Sequence, residues 1–324
     1  MRLVIIGLMM LFVVSCQQTP NKIVTMQEDV AVLASDEMGG RQTGTPGELL
    51  AAAYITERFS DIGLTPKGSE GNFTQTFSFT PSANPHEQSE FTNIQEDGSV
   101  TGTNVIGYIN NNAATTVIIG AHYDHLGMGG EGSLDREKPA IHNGADDNAS
   151  GIAILLALAD KLKNQSPTIT QNNYLFMAFS GEEMGLLGSN YFVKTPTIDT
   201  KKVSYMINMD MVGRLNNEQT LAVYGVGTSS LFKQTLFANN NQGLTIKEHP
   251  SGVGPSDHTS FYLADIPVLH FFTGQHADYH KPSDDPEKLN YEGMELISNY
   301  ILNVVTDLDD AGQLAFKKTK NESE

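Results

Sequence analysis

The segment TTVIIGAHYDH (115–125) is an apolar run rich in β-branched residues that ends abruptly in polar ones. Short apolar runs of this kind are typical of strands that are buried on both faces. Two further runs, NYLFMAFS (173–180) and VSYMINMD (203–210), have the same form, and an apolar helical stretch (149–162) separates the first two runs. This alternation predicts an α/β fold with a mixed, mostly parallel central sheet and helices on both faces.

Weaker patterns extend this architecture in both directions along the chain. Within residues 26–64, apolar residues recur at helical spacing, and Thr45-Pro46 opens the clearest part of this run. Within residues 72–110, apolar and polar residues alternate as they do in β-strands. Two more strands are expected at 221–226 and 268–273, and three more helices at 229–239, 258–264 and 291–308.

Composition excludes several classes of protein. Hydrophobic residues make up 39% of the 324 positions, which is enough for a buried core and excludes a wholly disordered chain. The formal net charge of −18 argues against general nucleic-acid binding, which requires a basic surface. No run of eighteen apolar residues occurs, so a polytopic membrane protein is excluded. A single cysteine excludes both a disulfide framework and a cysteine-rich zinc site.

The first sixteen residues, MRLVIIGLMMLFVVSC, have the form of an export signal. A basic residue precedes a twelve-residue apolar run, which is too short to span a bilayer. The end of the run resembles a bacterial lipobox, in which Cys16 is lipidated; a plain secretory signal or a membrane anchor are the alternatives. We therefore expect a signal peptide at 1–16, a tether at 17–25 and a single domain at 26–318. The protein is expected in the cell envelope, lipid-anchored to the outer membrane and facing the periplasm, or exported.

Polar residues that could carry chemistry follow the ends of the predicted strands. Taken singly, each has an ordinary explanation, such as a helix cap or a surface turn. Carboxyl ends of parallel strands meet at one edge of a sheet, so these side chains should converge on one crevice. The residues concerned are His122, Asp124, Asp146, Asp147, Glu182, Glu183, Asp210 and His280.

Several carboxylates in one crevice require compensating positive charge. No run of Arg or Lys lies near them in the sequence, whereas divalent cations would supply that charge. Imidazole and carboxylate ligands without thiolate suit catalytic zinc or a similar metal. A carboxylate between two histidine-bearing groups suggests a bridged pair of ions.

Five motifs follow one another along the chain: AHYDHLG (121–127), NGADDNASG (143–151), FSGEEMGLLGS (179–189), NMDMVGR (208–214) and DYHKPSD (278–284). In this order they resemble the motifs of the M28-type co-catalytic zinc aminopeptidases, which have the zinc-peptidase fold of the phosphorylase/hydrolase-like class. The resemblance covers roughly residues 30–310, and MGGRQTGTPGE (38–48) is similar to the segment before the family's first helix. The spacing leaves no room for a full-size protease-associated domain.

The resemblance implies two Zn²⁺ ions held by five residues. His122 and Asp210 would bind the first zinc, Glu183 and His280 the second, and Asp146 would bridge both. The family often has a cis peptide after the bridging carboxylate, which would fall between Asp146 and Asp147.

The resemblance also implies three further roles in the site. Glu182 would be the general base that takes a proton from the attacking water, and Asp124 would hydrogen-bond the imidazole of His122. Tyr279 would donate a hydrogen bond to the oxyanion, with simple packing as the alternative.

Other polar residues near the motifs match no ligand position. His125, His142 and His276 are expected to be loop residues. Asp257 and His258 could equally form a pocket wall or a helix start.

The predicted function is metal-dependent removal of N-terminal residues from peptides. The alternatives are a glutaminyl cyclase of the same fold, an amidohydrolase acting on non-peptide amides, and an inactive lipid-anchored binding protein. The cyclase class keeps one zinc and lacks the full ligand set, and an inactive relative should lose ligands or the base.

Overall fold

The computed structural model describes residues 24–81, 89–92, 98–130 and 132–320. Residues 1–16, including Cys16, lie outside this part, as does most of the expected tether. Among the described residues, no helix combines the length and apolar character needed to cross a membrane.

Seven α-helices and ten strands are formed by the described residues. The helices are α1 (Met26–Leu33), α2 (Pro46–Ile62), α3 (Gly151–Asp160), α4 (Leu187–Lys194), α5 (Phe232–Ala238), α6 (His258–Tyr262) and α7 (Tyr291–Asp307). The strands are β1 (Thr65–Pro66), β2 (Thr74–Thr80), β3 (Glu90–Thr92), β4 (Val100–Ile109), β5 (Thr115–His122), β6 (Asn172–Phe179), β7 (Val203–Met209), β8 (Thr220–Tyr224), β9 (Thr245–His249) and β10 (Val268–Phe272).

The strands form one mixed sheet in the order β3-β2-β4-β6-β5-β7-β10-β8-β9, with β1 paired to β4. The four central strands β6, β5, β7 and β10 are mutually parallel, as are β8 and β9. The remaining pairs are antiparallel. The predicted mixed α/β sheet is thus confirmed, with parallel pairing concentrated at its centre.

Helices cover both faces of the sheet because the central strands are apolar on both sides. All eight residues of β5 are buried, and alternate side chains point to opposite faces. Val117 and Ile119 pack in a cluster that includes residues of α1, α2, α3, α5 and α7, whereas Ile118 packs with residues of α4 and α6. Because β5, β6, β7 and β10 are also parallel, their carboxyl ends lie at one edge of the sheet.

The helical pattern at 26–64 corresponds to two helices with a turn between them. The first helix ends at Leu33, and a short 3-10 segment (Asp36–Arg41) follows, in which Gly39 and Gly40 have left-handed φ values of +56° and +71° that interrupt helical geometry. The second helix restarts at Thr45, whose hydroxyl accepts the N–H of Glu48. The intervening turn places Arg41 against the sheet edge.

Candidate metal centre

The predicted site residues converge at the carboxyl edge of the sheet. His122 ends β5, Glu182 and Glu183 follow β6, and Asp210 follows β7. His280 lies in the loop between β10 and α7. The arrangement expected from strand-end positions is therefore present.

Asp147 is the carboxylate that lies between the two histidines. Its Oδ1 is 3.3 Å from Nε2 of His122, and its Oδ2 is 3.2 Å from Nε2 of His280. The assignment of Asp146 to this position is corrected: Asp146 instead accepts the N–H of Gly213 at 2.6 Å and faces His276 at 3.1 Å. The cis peptide also lies one residue later than expected, between Asp147 and Asn148.

The loop carrying these carboxylates is held by a residue that the sequence did not single out. Oδ2 of Asp284 accepts the backbone N–H groups of Asp146 and Asp147 at 2.9 and 3.0 Å. Asp284 is fully buried, and burial raises its pKa to about 6. These two hydrogen bonds fix the path of the backbone and hence which carboxylate enters the site.

Two groups of potential ligands share Asp147. In the first, Oδ1 of Asp210 is 3.3 Å from Nε2 of His122, the same nitrogen that faces Asp147. In the second, Oε2 of Glu183 is 3.3 Å from Nε2 of His280. Five side chains of the expected ligand types are therefore present, with Asp147 in place of Asp146.

The spacing of these atoms fits metal ligation better than hydrogen bonding. Two donors bound tetrahedrally to zinc at their usual distances lie about 3.3–3.4 Å apart. Charge-assisted hydrogen bonds between nitrogen and carboxylate oxygen are shorter, roughly 2.7–2.9 Å. The four contacts of Asp147, Asp210 and Glu183 with the histidines measure 3.2–3.3 Å. Nitrogen and carboxylate oxygen without thiolate are donors suited to zinc.

The buried charges in this crevice shift one another's pKa values. Burial raises the pKa of Glu182 well above its ordinary value, and the neighbouring charges of Asp210 and Glu183 add to this. Burial would lower the pKa of His122, but the nearby carboxylates, Asp210 first, raise it well above its usual range. The crevice therefore concentrates negative charge that requires a cationic partner.

Asp124 does not make its predicted hydrogen bond. Its carboxylate is 3.7 Å from Nδ1 of His122, which instead lies 3.1 Å from the backbone carbonyl of Asp124. The carboxylate accepts the backbone N–H groups of Glu182 and Glu183 at 3.1 and 3.4 Å, and the hydroxyl of Thr43 at 3.1 Å. Asp124 thus holds the Glu182-Glu183 turn, while the backbone carbonyl orients the imidazole.

A recess of about 150 Å³ opens beside the ligands. Tyr279 lines it and stacks on His280, with ring centres 3.9 Å apart. His258 also lines the recess, while Asp257 makes no side-chain capping bond at the start of α6. Of the two alternatives for this segment, a pocket wall or a helix start, His258 therefore fits the pocket wall. The other aromatic or apolar side chains that line it are Met211, Tyr224, Pro255, His270 and Phe272.

Arg41 is a second positioning residue that sequence analysis missed. It is fully buried and donates hydrogen bonds to the carbonyls of Tyr123, Leu33, Asn143 and Gly144. Burial lowers its pKa to about 10, so the guanidinium remains charged at neutral pH. Its carbonyl partners tie the end of β5 to the loop that carries Asp147.

The three histidines expected to be loop residues differ in their surroundings. His142 contacts Ser133 at 2.8 Å and the carbonyl of Ala140 at 2.9 Å. His276 contacts Asp146, as described above. His125 is buried, and its Nδ1 lies 2.7 Å from Oε1 of Glu183, so it belongs to the site.

Sequence comparison supplies relatives with named activities. The alkaline phosphatase isozyme conversion protein of Escherichia coli (strain K12) is 30% identical over 71% of this chain and 66% of its own. A probable leucine aminopeptidase of Arthroderma otae is 30% identical over 51% of this chain and 45% of its own. The chain thus spans about half to two thirds of the length of these relatives.

Solved structures of the same fold include enzymes of two kinds. The aminopeptidase from Aneurinibacillus sp. strain AM-1 has a TM-score of 0.66 at 19% identity, covering 92% of this chain and 95% of that one. The glutaminyl cyclase of Bacteroides thetaiotaomicron has a TM-score of 0.69 at 17% identity, covering 87% and 97%. The fold alone therefore does not choose between hydrolysis and cyclisation.

The sequence profile of peptidase family M28 matches residues 104–305, which carry every candidate ligand identified above. This chain belongs to peptidase family M28.

Proposed function

We propose that the protein is a zinc-dependent aminopeptidase that hydrolyses the N-terminal peptide bond of peptides with two zinc ions. The position of Asp147 between His122 and His280 carries this proposal, because one carboxylate facing two imidazoles suits a bridged pair of ions. His122, Asp147 and Asp210 would hold the first ion. Asp147, Glu183 and His280 would hold the second.

Zinc in these positions would lower the pKa of a bound water and polarise the scissile carbonyl. The chain's own residues then account for the proton transfers. Glu182, adjacent to the ligand Glu183, accepts the proton of the attacking water and passes it to the leaving amine. Burial raises its pKa, which makes the carboxylate a stronger base for the first transfer.

Tyr279 is proposed as the hydrogen-bond donor to the carbonyl oxygen as it becomes an oxyanion. Its ring lines the recess and is fixed against His280, which keeps the side chain beside the ligands. Burial raises the pKa of its phenol, so the hydroxyl remains protonated and able to donate. A Tyr279→Phe variant is expected to lose turnover while keeping its zinc.

The recess supports cleavage of one terminal residue at a time. At about 150 Å³ it is smaller than the roughly 300–1,000 Å³ typical of pockets for drug-sized ligands. Such a space suits a single side chain better than an extended peptide. Cleavage next to a free amino terminus also agrees with the activity named for the leucine aminopeptidase relative.

The test is a panel of aminoacyl-coumarin substrates with and without a chelator, alongside the same substrates with an acetylated amino group. Hydrolysis of the free substrates, its loss on chelation and its return with zinc are expected. Equal cleavage of the acetylated substrates would contradict aminopeptidase activity. Pyroglutamate formed from glutaminyl peptides without hydrolysis would instead support the cyclase, and cleavage of non-peptide amides alone the amidohydrolase.

We also propose that Cys16 is lipidated and anchors the protein in the cell envelope, at the outer membrane. The support is the sequence of residues 1–16, with its basic start, apolar run and small residue before the cysteine. Cys16→Ala is expected to release the chain from membrane fractions or to block its processing. Unchanged attachment, with no fatty acid incorporated by the wild type, would contradict lipidation.

A further inference from the structure

The carboxylate of Glu183 is contacted by two imidazoles, one at each oxygen. Its Oε2 lies 3.3 Å from Nε2 of His280, within the proposed second zinc site. Its Oε1 lies 2.7 Å from Nδ1 of His125, a side chain with no exposed surface. Each oxygen of the Glu183 carboxylate therefore contacts a different histidine.

The two distances indicate two different roles. The 3.3 Å contact matches the roughly 3.3–3.4 Å that separates two donors bound tetrahedrally to one zinc ion. The 2.7 Å contact to His125 is too short for that arrangement and matches a charge-assisted hydrogen bond of about 2.7–2.9 Å. His125 therefore contacts the ligand Glu183 as a hydrogen-bond donor.

We propose that His125 is a positioning residue, which donates its Nδ1–H to Oε1 of Glu183 and so directs Oε2 toward the second zinc. This inference rests on the proposed two-zinc function. An oriented carboxylate binds metal without first losing the freedom of its terminal torsion. The residue adds to the affinity of the second site without binding the ion.

The fold holds the ring of His125 in this orientation. Its backbone N–H donates to the carbonyl of Arg41 at 3.3 Å, which fixes the start of the loop after β5. Gly144 has a φ of +55°, and a Cβ there would lie 2.6 Å from two ring atoms of His125. Only glycine allows the loop that carries Asp147 to pack this closely on the imidazole.

The hydrogen-bond partners of the two ring nitrogens also determine the tautomer of His125. Its Nε2 is buried and has no hydrogen-bond partner among the described residues. A proton on Nε2 would be a buried donor without an acceptor, whereas a proton on Nδ1 is used by Glu183. Between the two tautomers, the partners therefore favour the one with its proton on Nδ1.

Two substitutions at His125 separate hydrogen bonding from packing. His125→Leu keeps approximate volume and removes the donor, and is expected to weaken binding of the second zinc about 10- to 100-fold. His125→Asn places an amide N–H near the position of Nδ1 and is expected to restore most of that affinity. His142→Leu is the control, because His142 contacts Ser133 and Ala140 rather than a proposed ligand.

The readout is zinc affinity of the full-length chain, titrated against a chromophoric chelator. Two ions in the wild type, with selective loss of one in His125→Leu and recovery in His125→Asn, is the expected result. Second-site affinity unchanged in a folded His125→Leu overturns the positioning role and leaves the two-zinc proposal intact. A wild type that binds fewer than two ions overturns the proposed function, and this inference with it.

A second measurement needs no variant and so does not depend on how His125→Leu folds. The wild type, with nitrogen-labelled histidine, is loaded with a spin-active cadmium isotope and examined by NMR. Metal–nitrogen coupling is expected at His122 and His280, with a proton on Nδ1 of His125 and no coupling to it. Coupling to a nitrogen of His125 would make it a ligand and overturn the proposal.

Discussion

The carboxylates of Asp146 and Asp147, although adjacent in the chain, face different parts of the molecule. Asp147 lies between the imidazoles of His122 and His280, whereas Asp146 accepts a hydrogen bond from Gly213 and contacts His276. Asp284 fixes the backbone of both residues. One carboxylate is therefore available to metal, and the other supports the loop.

This difference predicts opposite outcomes for the two amide variants. Asp147→Asn replaces the shared carboxylate with a weaker ligand and is expected to lose zinc from both sites and at least a hundredfold in turnover. Asp146→Asn keeps an oxygen that can accept from Gly213 and is expected to retain two zinc ions. Metal content by mass spectrometry, measured on both variants, decides between them. Zinc retained in Asp147→Asn and lost in Asp146→Asn would reverse the assignment.

Glu182 and Glu183 are also adjacent, and their amide variants separate chemistry from metal binding. Glu182→Gln cannot take a proton from water and is expected to lose about 10²- to 10⁴-fold in kcat with its zinc retained. Glu183→Gln is expected to lose metal occupancy and activity together, because Glu183 faces His280 in the second site. Parallel zinc analysis and turnover measurement test both. Full activity in both variants would place the active site elsewhere.

Much of the site could be predicted from the order of strands and polar residues. His122, Glu183, Asp210 and His280 come together because parallel strands end at one edge of the sheet. The choice between Asp146 and Asp147 could not be made in this way, since both residues have the same chemistry. It depends on the path of a loop held by a distant acceptor, Asp284.

Residues that act through backbone groups were also missed. Arg41 donates to backbone carbonyls, which every residue possesses, so no pairing pattern marks it in the sequence. Strand β9 was not predicted because its five residues are exposed or half-buried at the sheet edge and show no clear alternation. His125 matches no ligand position of the motifs, and its contact with Glu183 spans 58 residues, so the sequence gives no sign of it.

Replacing Arg41 is expected to be severely destabilising. Arg41→Met leaves several buried carbonyls without their donor, and each such group costs about 1–3 kcal/mol. We expect the free energy of unfolding to fall by more than about 3 kcal/mol in urea titrations. Arg136→Met is the control: Arg136 is exposed, and its replacement is expected to change stability by less than about 0.5 kcal/mol. Equal effects of the two substitutions would show that the buried guanidinium contributes little.

The stacked imidazoles of His258 and His270 predict a specific loss of stability in acid. Their ring centres are 4.3 Å apart, and burial lowers the pKa of His270 to about 4. An unfolded histidine has a pKa of about 6.5, so between pH 6.5 and 4 the unfolded chain binds a proton that the folded chain does not. His270 therefore reduces stability as the pH falls through this window, by up to about 1.4 kcal/mol per pH unit.

His270→Asn tests this sign directly. The asparagine does not titrate, and its side-chain oxygen can accept from Asn208, which donates to Nδ1 of His270 at 3.1 Å. Because acid also releases zinc, both proteins are compared after chelation, by urea unfolding at intervals from pH 4 to 7. The wild type is expected to gain stability relative to the variant as the pH rises from 4 to 6.5, and the difference to level off above that. A difference that does not change with pH would mean that His270 is protonated equally in the folded and unfolded chains, and that its burial against His258 does not exclude the proton.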